Sequence, residues 1–187
     1  MAIKPILFNT EMVRAILDGK KTCTRIIVKP QPTAHYGAQC IKPPYQPGDI
    51  LYVRETWSEL SSGYEYKADG ENIDHLGNMI KWKPSIRMPK EAARIFLKVT
   101  DVRVERLQEI TEDGAKAEGI NEEWAMSWWS PTYYDPDSGG YPKYRDTFAF
   151  EVWNKTIKKS DIGRYGWYAN PWVWVIEFER CEKPEGV

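Results

Sequence analysis

Apolar residues switch between two periods along this chain, and the switches mark its elements. Pro5-Ile6-Leu7-Phe8 predicts a short first strand. Asn9 follows as an N-cap, and Met12, Val13, Ile16 and Leu17 recur at helical spacing on one face. Gly19 is placed to end that helix at C′. From Thr22 to Val28 the residues turn β-branched, which predicts a strand. Residues 30–47 are punctuated by Pro30, Pro32, Pro43, Pro44 and Pro47 and read as an ordered surface loop. Pro47-Gly48-Asp49 is a turn signal, and a strong strand over 50–57 follows, with Tyr64–Lys67 expected to pair with it. The polar stretch 68–81 reads as a loop or irregular hairpin.

Ile95 to Leu107 is the longest strand signal, and its phase changes near Thr100-Asp101, where a bulge is expected. Thr111 is placed to cap a short helix over 112–118 that Gly119 stops. A second helix over about 143–158 shows Phe148, Val152 and Trp153 on one face, and Trp172–Phe178 reads as a closing strand. This order predicts an α+β domain, best accommodated as a small, mostly antiparallel barrel with flanking helices. No glycine-rich strand-to-helix turn is present, which excludes Rossmann and P-loop arrangements.

At 187 residues the chain fits one domain. Its 26 basic and 27 acidic residues nearly cancel, so a contact with nucleic acid must be local rather than driven by a global field. Nine Trp and eleven Tyr supply apolar bodies with polar tips, suited to cores and stacking surfaces alike. Cys23, Cys40 and Cys181 form no C-x-x-C pair, and only His35 and His75 could join them, so no metal site and no cofactor are expected. Free thiols fit a reducing cytoplasm, and neither a signal-peptide region nor a membrane-length apolar run is evident. The expected location is cytoplasmic.

The candidate chemistry centres on Gly19-Lys20-Lys21-Thr22-Cys23-Thr24-Arg25, which places three cations and two hydroxyls where a helix gives way to a strand. One reading is structural, with Lys20, Lys21 and Arg25 complementing the helix C-terminus. The other is a binding or catalytic wall. Strand alternation puts Thr22 and Thr24 on one face and Lys21, Cys23 and Arg25 on the other, unless a bend at Gly19-Lys20 lets Lys21 and Thr24 converge. A lysine beside a threonine hydroxyl can act as base to its nucleophile, with a carboxylate shuttling protons, once burial or nearby cations help it lose its own proton.

Arg54-Glu55-Thr56-Trp57 ends an apolar strand in polar residues. Arg54 suits a phosphate or carboxylate, and Trp57 suits either base stacking or the core. In Trp82-Lys83-Pro84-Ser85-Ile86-Arg87-Met88-Pro89 two prolines would hold Ser85 and Arg87 in place. The patch Trp124, Trp128, Trp129, Tyr133 and Tyr134 could stack single-stranded RNA, but Glu122, Glu123, Asp135 and Asp137 make it acidic. Local packing or a protein-binding surface is the better reading of it.

The 19–25 segment together with Pro47–Trp57 resembles the ASCH domain, a PUA-like β-barrel with a cleft generally proposed to bind RNA. Val102–Leu107, Thr111–Ile120 and Trp172–Phe178 fall in that domain's order. The whole chain resembles the larger ASCH proteins of bacteriophages and prophages, as a single domain over 1–187 with insertions at about 58–90 and 121–160, the latter aromatic-rich. The resemblance implies a cleft for RNA or a modified nucleoside, lined by Lys20, Lys21, Thr24, Arg25, Arg54, Glu55, Trp57, Ser85, Arg87 and Glu118. One branch of the family removes the acetyl group of N4-acetylcytidine with a Lys, Thr and Glu triad. Its pattern maps onto Lys21, Thr24 and Glu118, with Thr24 attacking the amide carbonyl, Lys21 as base and Glu118 protonating the departing amine. The chain is nearly twice the length of those compact enzymes, and its aromatic loops could reshape their pocket. A third expectation is a phage accessory protein that binds a host protein through the aromatic insertion.

Overall fold

The computed structural model describes residues 1–32, 41–61, 63–70, 72–73, 76–128 and 144–185. Five strands form one sheet in the order β1-β3-β6-β7-β2. They are β1 (Ile3–Leu7), β2 (Cys23–Ile27), β3 (Ile50–Arg54), β6 (Phe96–Arg106) and β7 (Trp172–Cys181). Only β1 and β3 run parallel; the other three neighbouring pairs are antiparallel. A separate hairpin joins β4 (Trp57–Leu60) to β5 (Gly63–Tyr66). The Tyr64–Lys67 segment meets the strand expected over 50–57 only at its end, through Trp57 and Thr56, and otherwise pairs further along, because the chain breaks at Glu55-Thr56 and restarts as β4.

The sheet is not closed into the expected barrel. Among the described residues no ladder joins the edges β1 and β2. Helix α1 (Thr10–Leu17) connects them instead, and Val13 and Ile16 pack in one core with Ile6 of β1 and Ile26 of β2. The mixed, mostly antiparallel α+β layering remains.

Local chemistry sets the element ends. The Asn9 side chain accepts from Met12 N–H at 2.8 Å, as an N-cap does. At the far end Gly19 adopts φ 70°, its N–H reaches Ile16 O at 3.0 Å, and Lys20 N–H reaches Ala15 O at 2.8 Å, completing a Schellman motif. Asp49 anchors the strand start: its carboxylate accepts from Ala2 N at 2.9 Å, Gln46 N at 3.1 Å and Lys4 Nζ at 2.6 Å. The bulge in β6 falls between Val99 and Asp101, at the predicted change of phase.

Side-chain alternation gives the sheet two apolar faces. On one, Leu51, Val53, Val99, Ile176 and Phe178 pack with α1. On the other, Val173 and Val175 pack with α2 (Glu112–Ala117), α3 (Glu122–Trp128) and the helical segment 144–156, which contributes Phe148, Ala149, Val152 and Trp153. That segment carries one π-helical stretch, Phe148–Trp153. Trp129, Tyr133 and Tyr134 of the aromatic patch lie outside the described residues, as do His35, His75 and Cys40. Among the described residues no helix is long and apolar enough to cross a membrane.

Candidate functional site

Two helix ends meet at the start of β2. The Schellman turn after α1 delivers Lys21, and the end of α2 delivers Glu118. Thr111 caps α2, its hydroxyl accepting from Gly114 N–H at 3.0 Å, and Gly119 ends it at φ 96°. Lys21 and Glu118 then form an isolated antiparallel backbone bridge, and Thr22 N–H donates to Ala117 O at 2.8 Å.

The side chains follow. Lys21 Nζ donates to Glu118 Oε2 at 2.7 Å, to Glu118 O at 2.9 Å and to Cys23 O at 2.8 Å. Arg25 Nη1 donates to the other oxygen, Glu118 Oε1, at 3.1 Å. Arg25 also reaches across β7 to Glu105 Oε1, from Nε at 3.1 Å and Nη2 at 2.7 Å. Side-chain exposures are 0% for Lys21, 1% for Glu118, 3% for Arg25 and 16% for Glu105, so two cations and two carboxylates sit almost wholly out of water. Such burial is tolerated only when each charge is paired and hydrogen-bonded, and here each is. Between them the buried Cys23 thiol is pushed up to about 12, first by burial and then by the Glu118 charge, against the pull of Lys21 and Arg25. It stays protonated at neutral pH and is a poor nucleophile.

The carboxylate of Glu118 straddles the two faces of the sheet. Lys21 Nζ lies 5.4 Å from the Phe8 ring, in the core that contains α1. Arg25 lies 5.9 Å from the Phe148 ring, in the opposite core. Thr24 pairs with Ile176, whose side chain belongs to the α1 core, so Thr24 shares the Lys21 face. The bend after Gly19 thus puts the ammonium and the threonine hydroxyl on one side. Thr24 is 7% exposed and makes no side-chain hydrogen bond among the described residues.

Lys21 meets three acceptors, matching the three N–H groups of an ammonium. For Lys21 to act as a base, one of those protons must first pass to Glu118, the only ionisable partner among the three acceptors.

The remaining sequence-predicted residues occupy other places. Lys20 is exposed, pairs with Asp18 at 3.1 Å, and lines two cavities of about 490 and 320 Å³. Arg54 Nε donates to Met88 O at 2.8 Å and its Nη2 to Ile86 O, so it fastens the 81–90 segment. Glu55, 1% exposed, is held by Arg94 Nε at 3.0 Å and Nη2 at 3.1 Å. Burial raises its pKa above the ordinary carboxylate value, with Arg94 opposing. Trp57 is 4% exposed in a third apolar cluster with Met88 and Phe96, and its indole N–H has no hydrogen-bond partner among the described residues. Ser85 and Arg87 lie in one turn of 3₁₀ helix, Ser85 half-buried and Arg87 exposed.

Sequence reading missed Glu105, Arg94 and Gly114. A Cβ on Gly114 would lie 3.3 Å from Arg25 Nη2, so the glycine leaves the guanidinium its passage. Glu105 alternates with Val102 and Val104 like any solvent-facing strand residue; only the pairing across β7 brings it to Arg25.

No family model and no curated protein matches the sequence. Among solved structures the chain is similar to an ASCH domain. That domain, from Lactobacillus crispatus JV V101, shares 14% identity and a TM-score of 0.41 over 96% of this chain and 79% of its own. A DUF984 protein from Enterococcus faecalis V583 shares 11% identity and a TM-score of 0.44 over 97% of this chain and 76% of its own.

Proposed function

We propose that this chain is an ASCH-type protein whose Lys21–Thr24–Glu118 region binds RNA or a modified nucleoside. The observation that carries the reading is the Glu118 carboxylate, bracketed by Lys21 at 2.7 Å and Arg25 at 3.1 Å, with the Thr24 hydroxyl on the same face as Lys21. A buried four-charge network stabilises a fold less than apolar packing of the same volume often does, so its presence beside an unengaged hydroxyl favours a recognition site. Thr24 can exchange a hydrogen bond with a base edge, while Lys21, Arg25, Glu118 and Glu105, two cations and two carboxylates, set a fixed and balanced field nearby.

A second reading, amide hydrolysis of N4-acetylcytidine, is favoured by the Lys21–Glu118 contact itself. Lys21 passes a proton to Glu118 and takes the Thr24 proton as Oγ bonds to the acetyl carbon; the C–N bond breaks and Glu118 returns its proton to the cytidine amine. Water then releases acetate from Thr24.

Titration with cytidine and N4-acetylcytidine, with chromatography of the mixture, tests both. Saturable nucleoside binding weakened by Glu118→Gln supports the site, and conversion to cytidine abolished by Thr24→Val adds the reaction. Absence of binding and of conversion defeats the proposal.

A further inference from the structure

The 81–90 segment carries Lys81, Lys83, Arg87 and Lys90, and no acidic residue occurs between 76 and 90. In a chain of net charge −1 this is a concentrated local excess of positive charge. Lys81, Lys83 and Arg87 are all exposed. Only Lys83 has an ion-pair partner among the described residues, Glu59 at 3.5 Å, and both are solvated.

The segment is held rather than loose. Lys83 and Trp57 exchange backbone hydrogen bonds of 3.2 and 2.7 Å, Ser58 Oγ donates to Lys81 O at 3.0 Å, and Arg54 grips the carbonyls of Ile86 and Met88. Pro84 and Pro89 fix the backbone on either side of the 3₁₀ turn. Cations presented this way lose little freedom on binding.

Aromatic surface lies beside them. Lys83 Nζ sits 4.5 Å from the Trp57 ring centre, and Tyr64 meets the same ring edge-on at 5.7 Å while remaining 38% exposed. Exposed cations beside an exposed ring fit a chain of phosphates with unstacked bases, whereas a duplex hides its base faces. The Arg54 anchor leads to the candidate site, since Phe8 N–H donates to Arg54 O at 3.2 Å and the Phe8 ring underlies Lys21.

We infer that Lys81, Lys83 and Arg87, with Tyr64, form a docking surface for the phosphate backbone of single-stranded nucleic acid that extends from the nucleoside site. This rests on the proposed function and deepens it: the physiological ligand is a polynucleotide, not a free nucleoside.

The test is fluorescence anisotropy with short single-stranded RNA and DNA across a salt series. Three variants are compared: Lys81→Ala/Lys83→Ala/Arg87→Ala, the pair Lys81→Ala/Arg87→Ala that spares the Trp57 contact, and Lys155→Ala/Lys158→Ala/Lys159→Ala, which removes equal charge elsewhere. The first should lower the slope of log affinity against log salt by about 2, from about 0.7 per lost phosphate contact, and the second by about 1.4. Tyr64→Ala should weaken binding about tenfold without changing the slope. Nucleoside binding at the site should be unaffected in all of them. If nucleoside binds but the oligonucleotide slope is unchanged in the first two variants, or falls equally in the third, the docking surface is refuted and the nucleoside site stands. If oligonucleotide and nucleoside both fail to bind, both readings fall.

Discussion

Two buried carboxylates, Glu118 and Glu55, are each 1% exposed at the side chain, yet they are built differently. Glu118 lies between two cations that are themselves buried, at 0% and 3% exposure, and it joins two helix ends to an edge strand. Glu55 is held by Arg94 alone, and Arg94 is 28% exposed and also pairs with Asp69. The first arrangement places its ammonium on the sheet face that Thr24 shares. The second ties a strand end to a loop, with water on one side. Buried charge therefore marks a candidate site here only where the partners are buried as well.

Removing each carboxylate separates the two cases. Glu118→Ala leaves Lys21 and Arg25 desolvated without their shared anion, and urea unfolding should show a loss of about 3–5 kcal/mol. Glu55→Ala leaves Arg94 with Asp69 and solvent, and the loss should be about 1–2 kcal/mol. Equal losses would erase the distinction.

Gly119→Ala tests whether the first arrangement depends on its turn. The residue has φ 96°, and an added Cβ would lie 2.8 Å from Ala15 Cβ and 3.1 Å from Lys21 Cβ. A loss of about 1–3 kcal/mol is expected, with weakened ligand binding as the helix end is pushed from β2. Gly19, at φ 70° with open space around it, should cost about 1 kcal/mol as alanine and leave binding in place.

The smallest effect is a pH dependence. Burial raises Glu55 above its ordinary value of 4.5, so the folded state binds this proton more tightly than the unfolded chain. The ionised carboxylate then lowers stability above the folded pKa, and that penalty disappears as pH falls through this value toward 4.5. Wild type should gain stability relative to Glu55→Gln over that descent, followed by thermal unfolding at a series of pH values. A constant difference between the two would contradict the assignment.

Much of the frame was legible because its causes are local. The Asn9 cap, the Gly19 stop, the β6 bulge and the Thr111 cap each follow from residues a few positions apart. Barrel closure was expected and is absent, since whether two edges pair or admit a helix depends on packing over the whole core. The Glu55-Thr56 break was hidden within a strand signal that continues to Trp57; it becomes clear only when Met88 Sδ accepts Glu55 N–H at 3.1 Å and β4 turns to a new partner. Glu118 was reached through family resemblance. Its meeting with Lys21, 97 positions away, is a tertiary contact. Glu105 could not be found at all without the register across β7.

The central claim is that the Thr24 hydroxyl, held on the Lys21–Glu118 face, contacts a nucleoside ligand. Calorimetric titration of N4-acetylcytidine into wild type and Thr24→Val tests it most directly, because valine keeps the shape and removes only the hydroxyl. The account predicts saturable binding to wild type and at least a tenfold loss in the variant, with an unchanged unfolding midpoint. Equal binding by both proteins, or none by wild type, would contradict it.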